Sequence, residues 1–222
     1  MLVYGKNVLH ELKPNQIKKA YISRKEYIPY LKENKVKFDF VDNNILERKV
    51  KGNHQGIVLE ILEYEYYTLK DIEGNLIVML DHLSDPHNFG AIIRTCECIG
   101  VKSIIIPKDR SVLVNDTVYK TSVGAINNVK IILVSNLNNA INTLKKDGYF
   151  IYSADMDGEN YKKIDYASKK VLVIGSEGNG ISKLVRDNSD VIVSLPMKGK
   201  INSLNASVSA GILLYAMGDL DD

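Results

Sequence analysis

Residues 76–95 read LIVMLDHLSDPHNFGAIIRT. The unbroken apolar run Leu76–Leu80 does not alternate, so it fits a strand covered on both faces, as parallel-sheet strands are. Pro86 then fixes a turn, Asn88 is placed to cap the helix that follows, and Gly90 lets another backbone approach closely. In that helix Ile92, Cys96 and Ile99 recur at i, i+4 and i+7. Arg94 falls about 200° around from Ile92, off the buried stripe.

The same grammar repeats to the end of the chain. Buried strands are expected at SIIIP (103–107), KIILV (130–134), GYFIYSA (148–154), KVLVIG (170–175) and DVIVSLP (190–196). Helical stretches lie between and after them: NDTVYKTSVGA, NLNNAINTLKKDG, GISKLVRDN and SLNASVSAGILLYAM. Apolar strands alternating with helices predict an α/β domain with a mostly parallel sheet. Ligands of such sheets bind beyond the C-terminal ends of the strands.

Before residue 76 the pattern is smaller in scale. GKNVLHEL, EYIPYLKEN and DNNILERKV read as helices, and IKKAYIS, VKFDFV and GIVLEIL as strands. EYEYYTLKDIEGN reads as a connector with room for one helical turn. The expected division is a small α/β unit at 1–65, a linker at 66–75 and a larger domain at 76–222. Basic and acidic residues number 13 and 9 in residues 1–70, but 16 and 18 in residues 71–222. The excess of cations therefore belongs to the small unit. It marks either a face for an anion such as nucleic acid or simply a Lys-rich solvated surface.

Apolar residues at 45% and charged residues at 25% are ordinary for a globular protein. No apolar run reaches the ~18–20 residues of a membrane span, and the first residues lack a signal-peptide core. The two cysteines, Cys96 and Cys98, point to different sides of one helix and make neither a disulfide nor a metal clamp. They read as reduced core residues, which makes the expected location cytoplasmic and the expected membrane partner none.

Three strand-end loops carry the candidate chemistry. The first is DPHNFGAIIRT, with Arg94 either an ordinary surface residue or one retained for its planar fork in a chain of five Arg and 24 Lys. The second, VLVIGSEGNGIS, looks like a phosphate cradle but has no P-loop Lys after Gly180 and no G-x-G-x-x-G pattern. It offers bare backbone groups and one carboxylate, Glu177, expected at a helix N-terminus. The third is LPMKGKINSLNASVSAGILLYAM, where a helix is expected to begin around Ser203. That helix is apolar nearly all round, so it belongs in a core or a subunit interface. A cap needs one residue, whereas Ser203, Asn205 and Ser207 bring three short polar side chains there.

Taken together, DPHNFGAIIRT, VLVIGSEGNGIS and LPMKGKINSLNASVSAGILLY resemble the three motifs of the SpoU (TrmH) family of RNA 2′-O-ribose methyltransferases, in the SPOUT superfamily. KTSVGAINNVKI extends the match. YGKNVLHELK and GNHQGIVLEI are similar to the ribosomal-protein-like RNA-binding unit of its RlmB-type subgroup. Phe89 and Cys96 stand where the family often has Leu and Ala. The resemblance implies a C-terminal trefoil knot, a homodimer and S-adenosylmethionine as cofactor with no metal. Gly175, Leu195, Met197 and Leu204 would hold the methyl donor, and Asn88, Arg94, Glu177, Ser203 and Asn205 would be the active-site polar residues, with Arg94 the catalytic one. RNA would be the partner, most simply a guanosine of large-subunit rRNA. A tRNA target, a resistance methyltransferase and an inactive RNA-binding assembly factor are the alternatives.

A ribose hydroxyl is a weak acid that must lose its proton while it attacks, so alignment and charge stabilisation should dominate catalysis. A guanidinium stays protonated in proteins, which makes Arg94 a clamp for an adjacent phosphate rather than a base.

Overall fold

The structure, a computed structural model, describes residues 1–218. Residues 219–222, the last of the expected larger domain, lie outside the described residues. Two sheets organise the chain. The first has the order β1-β4-β2-β3, from β1 (Leu2–Tyr4), β2 (Ile17–Ile22), β3 (Phe38–Phe40) and β4 (Ile57–Ile61). Strand β4 is antiparallel to both neighbours, while β2 and β3 run parallel. Helices α1 (Lys6–Glu11), α2 (Ile28–Glu33) and α3 (Asn43–Lys49) cover it, burying Leu9, Leu31 and Leu46. Pro29 is tolerated because it falls in the first turn of α2, where its missing N–H has no helical partner to lose. Strand β1 is absent from the sequence reading: three residues with one buried side chain, Val3, carry too little period to detect.

The second sheet has six strands, β5 (Leu76–Asp81), β6 (Ser103–Pro107), β7 (Lys130–Val134), β8 (Phe150–Asn160), β9 (Lys170–Gly175) and β10 (Val191–Ser194), in the order β10-β8-β9-β5-β6-β7. Every pair is parallel, as expected from the unbroken apolar runs. One face is covered by α4 (Pro86–Cys98), α5 (Asp116–Ser122) and α8 (Ala206–Met217), the other by α6 (Leu137–Lys146) and α7 (Lys183–Asp187). Helix α6 shows how the pattern does this. Leu137, Ala140, Ile141 and Leu144 form one buried stripe, each large member stabilising the fold by roughly 1.5–3 kcal/mol. Gly90 lets α5 approach closely, since a Cβ there would lie 2.6 Å from the Thr121 Cβ and 3.1 Å from the Ser122 backbone nitrogen.

The connector is packed rather than free. The Tyr67 amide donates to the Ile131 carbonyl at 2.9 Å and its carbonyl accepts from Leu133 at 3.1 Å, extending the β7 edge. The hydroxyls of Tyr64 and Tyr66 accept the amides of Ile131 and Val114. Burial pushes both phenols up. The small unit is itself tied on, because Asn127 donates to the Glu11 carbonyl at 2.7 Å and accepts from Gln16 at 3.1 Å.

Several local expectations need correction. Asn88 does not cap α4. Asp85 does, its carboxylate accepting the His87 amide at 3.0 Å, because Pro86 occupies the first helical position and leaves the cap to the residue before it. Helix α8 starts at Ala206, not near Ser203, with Asn205 as its cap. Glu177 is not at a helix N-terminus, since α7 begins at Lys183 behind Ser182. Of the two cysteines only Cys96 is in the core; Cys98 is exposed. Helix α8 is also less enclosed than its composition suggests. Val208, Ile212 and Tyr215 are 48%, 37% and 56% exposed.

Candidate active site

The C-terminal ends of β9 and β10 open into a cleft of about 460 Å³, a volume within the usual range for small-molecule sites. One wall is the loop Gly175–Gly180. It doubles back on itself, with Ser176 and Gly180 exchanging amide and carbonyl bonds at 3.0 and 2.9 Å. That reversal requires Gly175, because a Cβ there would lie 2.5 Å from the Ile181 amide nitrogen and overlap Gly180. The opposite wall is the loop that joins β10 to α8, contributing Leu195, Met197, Asn202, Ser203 and Leu204. Ile174, Val193 and Leu213 form an apolar floor, and Ala154–Met156 of β8 close one end.

Six expected site residues therefore line one cleft: Gly175, Glu177, Leu195, Met197, Ser203 and Leu204. Asn88 joins them from outside, its side-chain amide donating to Glu177 Oε1 and so tying the first turn of α4 to the Gly-rich loop. Asn205 does not line the cleft. Its Oδ1 accepts from the amides of Ser207 at 2.9 Å and Val208 at 3.3 Å and from the Ser207 hydroxyl at 2.6 Å. Arg94 also lies off the cleft. It is exposed on α4 and makes no hydrogen bond or ion pair among the described residues.

Much of the wall is unpaired backbone. No hydrogen bond within the described chain engages the N–H groups of Glu177, Gly178 and Asn179, or those from Met197 to Leu204. Such groups can read the edge of a flat heterocycle or a ribose. The ionisable residues on the lining are Asp155 and Glu177, both acidic. Arg186 of α7 pairs with Asp155 and, at 2.9 Å, with Asp157, which holds the Asp157 carboxyl below the usual carboxylate range. Among the described residues no cluster of His, Cys, Asp and Glu could hold a metal ion.

Sequence reasoning did not single out Asp155 and Met156. They sit at the start of a polar extension of β8 that pairs with β10 only at its far end, Glu159 with Val193 and Asn160 with Ser194. Nor did it single out Asp81, although a carboxylate ending an apolar strand was a visible signal.

Residues 75–215 match the profile of the SpoU rRNA Methylase family, and residues 2–67 match that of an RNA 2′-O ribose methyltransferase substrate-binding domain. An uncharacterized tRNA/rRNA methyltransferase of Borreliella burgdorferi is 38% identical over 207 residues, covering 86% of this chain and 91% of that one. A TrmH family protein of Bacillus subtilis is 38% identical over 199 residues, covering 86% and 80%. Among solved structures, the AdoMet-bound rRNA methyltransferase of Sinorhizobium meliloti superposes with a TM-score of 0.84 at 23% identity, covering 97% of this chain and 85% of that one. The TrmH/SpoU tRNA modifying enzyme of A. aeolicus superposes with a TM-score of 0.59 at 31% identity, covering 67% and 76%. With the family profile spanning the whole parallel sheet and the cleft at its edge, the chain belongs to the SpoU rRNA methylase family.

Proposed function

We propose that this chain transfers a methyl group from S-adenosylmethionine to a ribose 2′-hydroxyl of RNA, with a guanosine of large-subunit rRNA as the target. The observation that carries the reading is the Asn88–Glu177 hydrogen bond, which joins two of the three motif loops at the rim of a cleft that the second and third loops wall. The cleft fits the donor on three counts: volume, unpaired backbone groups for adenine and ribose, and one lining carboxylate, Glu177, that carries no ion pair among the described residues. Gly175, Leu195, Met197 and Leu204 would hold it. When bound, it supplies a methyl group already activated by the sulfonium charge.

The remaining work falls to the chain's own side chains. In this reading Arg94 clamps the phosphate beside the reacting hydroxyl and polarises that hydroxyl, whose proton passes to the phosphate or to solvent, while Asn88 and Glu177 keep the two loops in register. Ser203 orients the hydroxyl from the cleft wall, and Asn205 holds the start of α8 so that Ser203 and Leu204 stay there. The same reading has the last part of the chain threaded as a trefoil knot, consistent with how tightly β10 lies on β8. A Cβ on Gly158 would be 2.5 Å from the Ile192 carbonyl oxygen. It also gives a cytoplasmic enzyme.

Transfer of labelled methyl to protein-free large-subunit rRNA and, in parallel, to bulk tRNA tests the proposal. Label is expected in rRNA; label in tRNA alone would keep the chemistry and overturn the target. The rRNA assignment draws on the small N-terminal unit. The A. aeolicus tRNA enzyme covers 67% of this chain, whereas the S. meliloti rRNA enzyme covers 97%.

That unit is assigned the RNA affinity, on its basic excess and on groupings such as Lys49 Nζ 3.9 Å over the Tyr21 ring. A chain beginning at Leu62 keeps the tyrosines that strap onto β7. It is expected to bind the donor with unchanged affinity and to lose RNA affinity at least tenfold, roughly the effect of removing two or three phosphate contacts. Retained RNA binding in a gel-shift titration would refute the assignment.

A homodimer is proposed on the exposed apolar face of α8, where Val208, Ile212 and Tyr215 lie with Leu204 just before the helix. Sedimentation should give two chains per particle for the wild type and one for Val208→Lys/Tyr215→Lys. A monomeric wild type at micromolar concentration would remove the dimer.

A further inference from the structure

Strand β5 ends in a carboxylate that the sequence motifs leave without a role. Asp81 is 1% exposed, and its register partner on β9 is Gly175, the residue at which the cleft loop begins. A carboxylate so enclosed persists only where donors satisfy it. Two do. Asp81 Oδ2 accepts the Ser182 amide at 2.6 Å, and Oδ1 lies 2.5 Å from His82 Nδ1. His82 adopts φ 59°, a left-handed conformation uncommon for a residue with a side chain, and the bond to Asp81 spans adjacent residues.

Ser182 is the cap residue of α7, yet its own side chain makes no capping bond. The entry to that helix is set instead by Asp81, reached across the sheet. Besides the Ser182 carbonyl, which accepts the Arg186 amide in the first turn of α7, three hydrogen-bonded links hold residues 176–182 among the described residues. Ser176 pairs with Gly180, Glu177 accepts from Asn88, and Ser182 donates to Asp81. The last two close a ring. It runs from Asp81 along the chain to Asn88, across to Glu177, along the loop to Ser182 and back to Asp81. Both motif loops are thus anchored to one carboxylate on a central strand, and charge-assisted bonds of this kind are the strong ones.

We infer that Asp81 is a positioning residue: through the Ser182 amide it sets the loop 176–182 that walls the methyl-donor cleft, and His82 holds the carboxylate in that orientation. The inference rests on the donor assignment of the cleft. Its consequence is that loss of one backbone N–H, 101 residues away in sequence from Asp81, weakens donor binding without touching a residue on the cleft lining.

Ser182→Pro is the sharpest test. Ser182 has φ −63° and ψ 145°, which proline adopts, so the substitution removes the N–H and sets the ring Cδ against Asp81 Oδ2, and both effects break the same link. Ser182→Ala keeps the N–H and serves as control. Ser182→Pro is expected to raise both Kd and KM for S-adenosylmethionine about tenfold, the cost of a buried charge losing one donor, with kcat at saturating donor and RNA affinity nearly unchanged. Ser182→Ala should match the wild type. His82→Asn should stay within about twofold, because Asn accepts left-handed backbone and retains a side-chain N–H. Unchanged donor affinity in Ser182→Pro, or an equal loss in Ser182→Ala, overturns the inference. Should Ser182→Pro not fold, hydrogen exchange on the wild type decides. The Ser182 amide should exchange about 100-fold more slowly than those of Gly178 and Asn179, and equal rates would overturn the tether. A folded wild type that binds no donor refutes the proposed function, while the exchange measurement still judges the tether.

Discussion

Arg94→Ala lowers kcat/KM for methyl transfer by about 10²–10³-fold and leaves the melting temperature and donor affinity where they were. The size follows from removing one preorganised charged donor aimed at developing negative charge. The selectivity follows from the geometry. Arg94 is exposed, has no hydrogen-bond or ion-pair partner among the described residues, and lies off the cleft lining. Its loss therefore breaks no contact that stabilises the fold, and exposed substitutions of that kind cost within about 0.5 kcal/mol. Its unpaired guanidinium, farther along α4 than the Asn88 that ties the two loops together, is free to engage a phosphate from outside. Arg94→Lys separates charge from shape. It keeps the cation but not the two parallel N–H groups, so an intermediate loss of about tenfold is expected if the contact is bidentate. Near-full activity in the Lys variant would argue for a point charge, and an unchanged rate in the Ala variant would remove Arg94 from the chemistry.

What could be read in advance, and what could not, divides along physical lines. Strands β5, β6, β7 and β9 were legible because a strand buried on both faces must be apolar at every position, and Ile104, Ile105, Ile131 and Val171 are fully enclosed. The polar half of β8 was not. Met-Asp-Gly-Glu-Asn carries no strand signal, and only the neighbouring β10 makes it one. At α4 the sequence pointed to Asn88 as the cap, but Pro86 at the first helical position gives the cap to Asp85, and Asn88 reaches Glu177 instead. Ser203-Leu204-Asn205 divides its work: Asn205 caps α8, while Ser203 and Leu204 face the cleft. The second and third strand-end loops do meet at one cleft, since parallel sheets gather such loops at one edge. Their meeting was beyond the sequence. Strand β8 separates β9 from β10, so the third loop closes the cleft only by reaching back past a strand whose position nothing local announces.

Gly175→Ala tests the cleft from its tightest point. A methyl group on residue 175 would overlap the carbonyl of Gly180 and sit 2.5 Å from the Ile181 amide nitrogen. Both neighbours are backbone, so no side chain can swing aside. Either β9 shifts within the sheet or the loop opens. The sheet is the stiffer of the two, because Gly175 pairs with Asp81 on the adjacent central strand, and the residues before it, Val171 to Ile174, are enclosed. The loop therefore moves, and the Ser176–Gly180 pair of bonds breaks first. Overpacking of this kind costs about 1–3 kcal/mol. For a chain of this size that lowers the melting temperature by roughly 2–4 °C per kcal/mol. Donor affinity should fall further, about 100-fold, since the displaced segment is the wall that would read the adenine and ribose, and 100-fold corresponds to about 2.7 kcal/mol of binding. RNA affinity, assigned to the N-terminal unit, should not change. Calorimetric titration of S-adenosylmethionine against the folded variant decides. A wild-type donor affinity with a lowered melting temperature would mean that the loop from Gly175 to Gly180 serves the fold alone, and that the donor is held elsewhere.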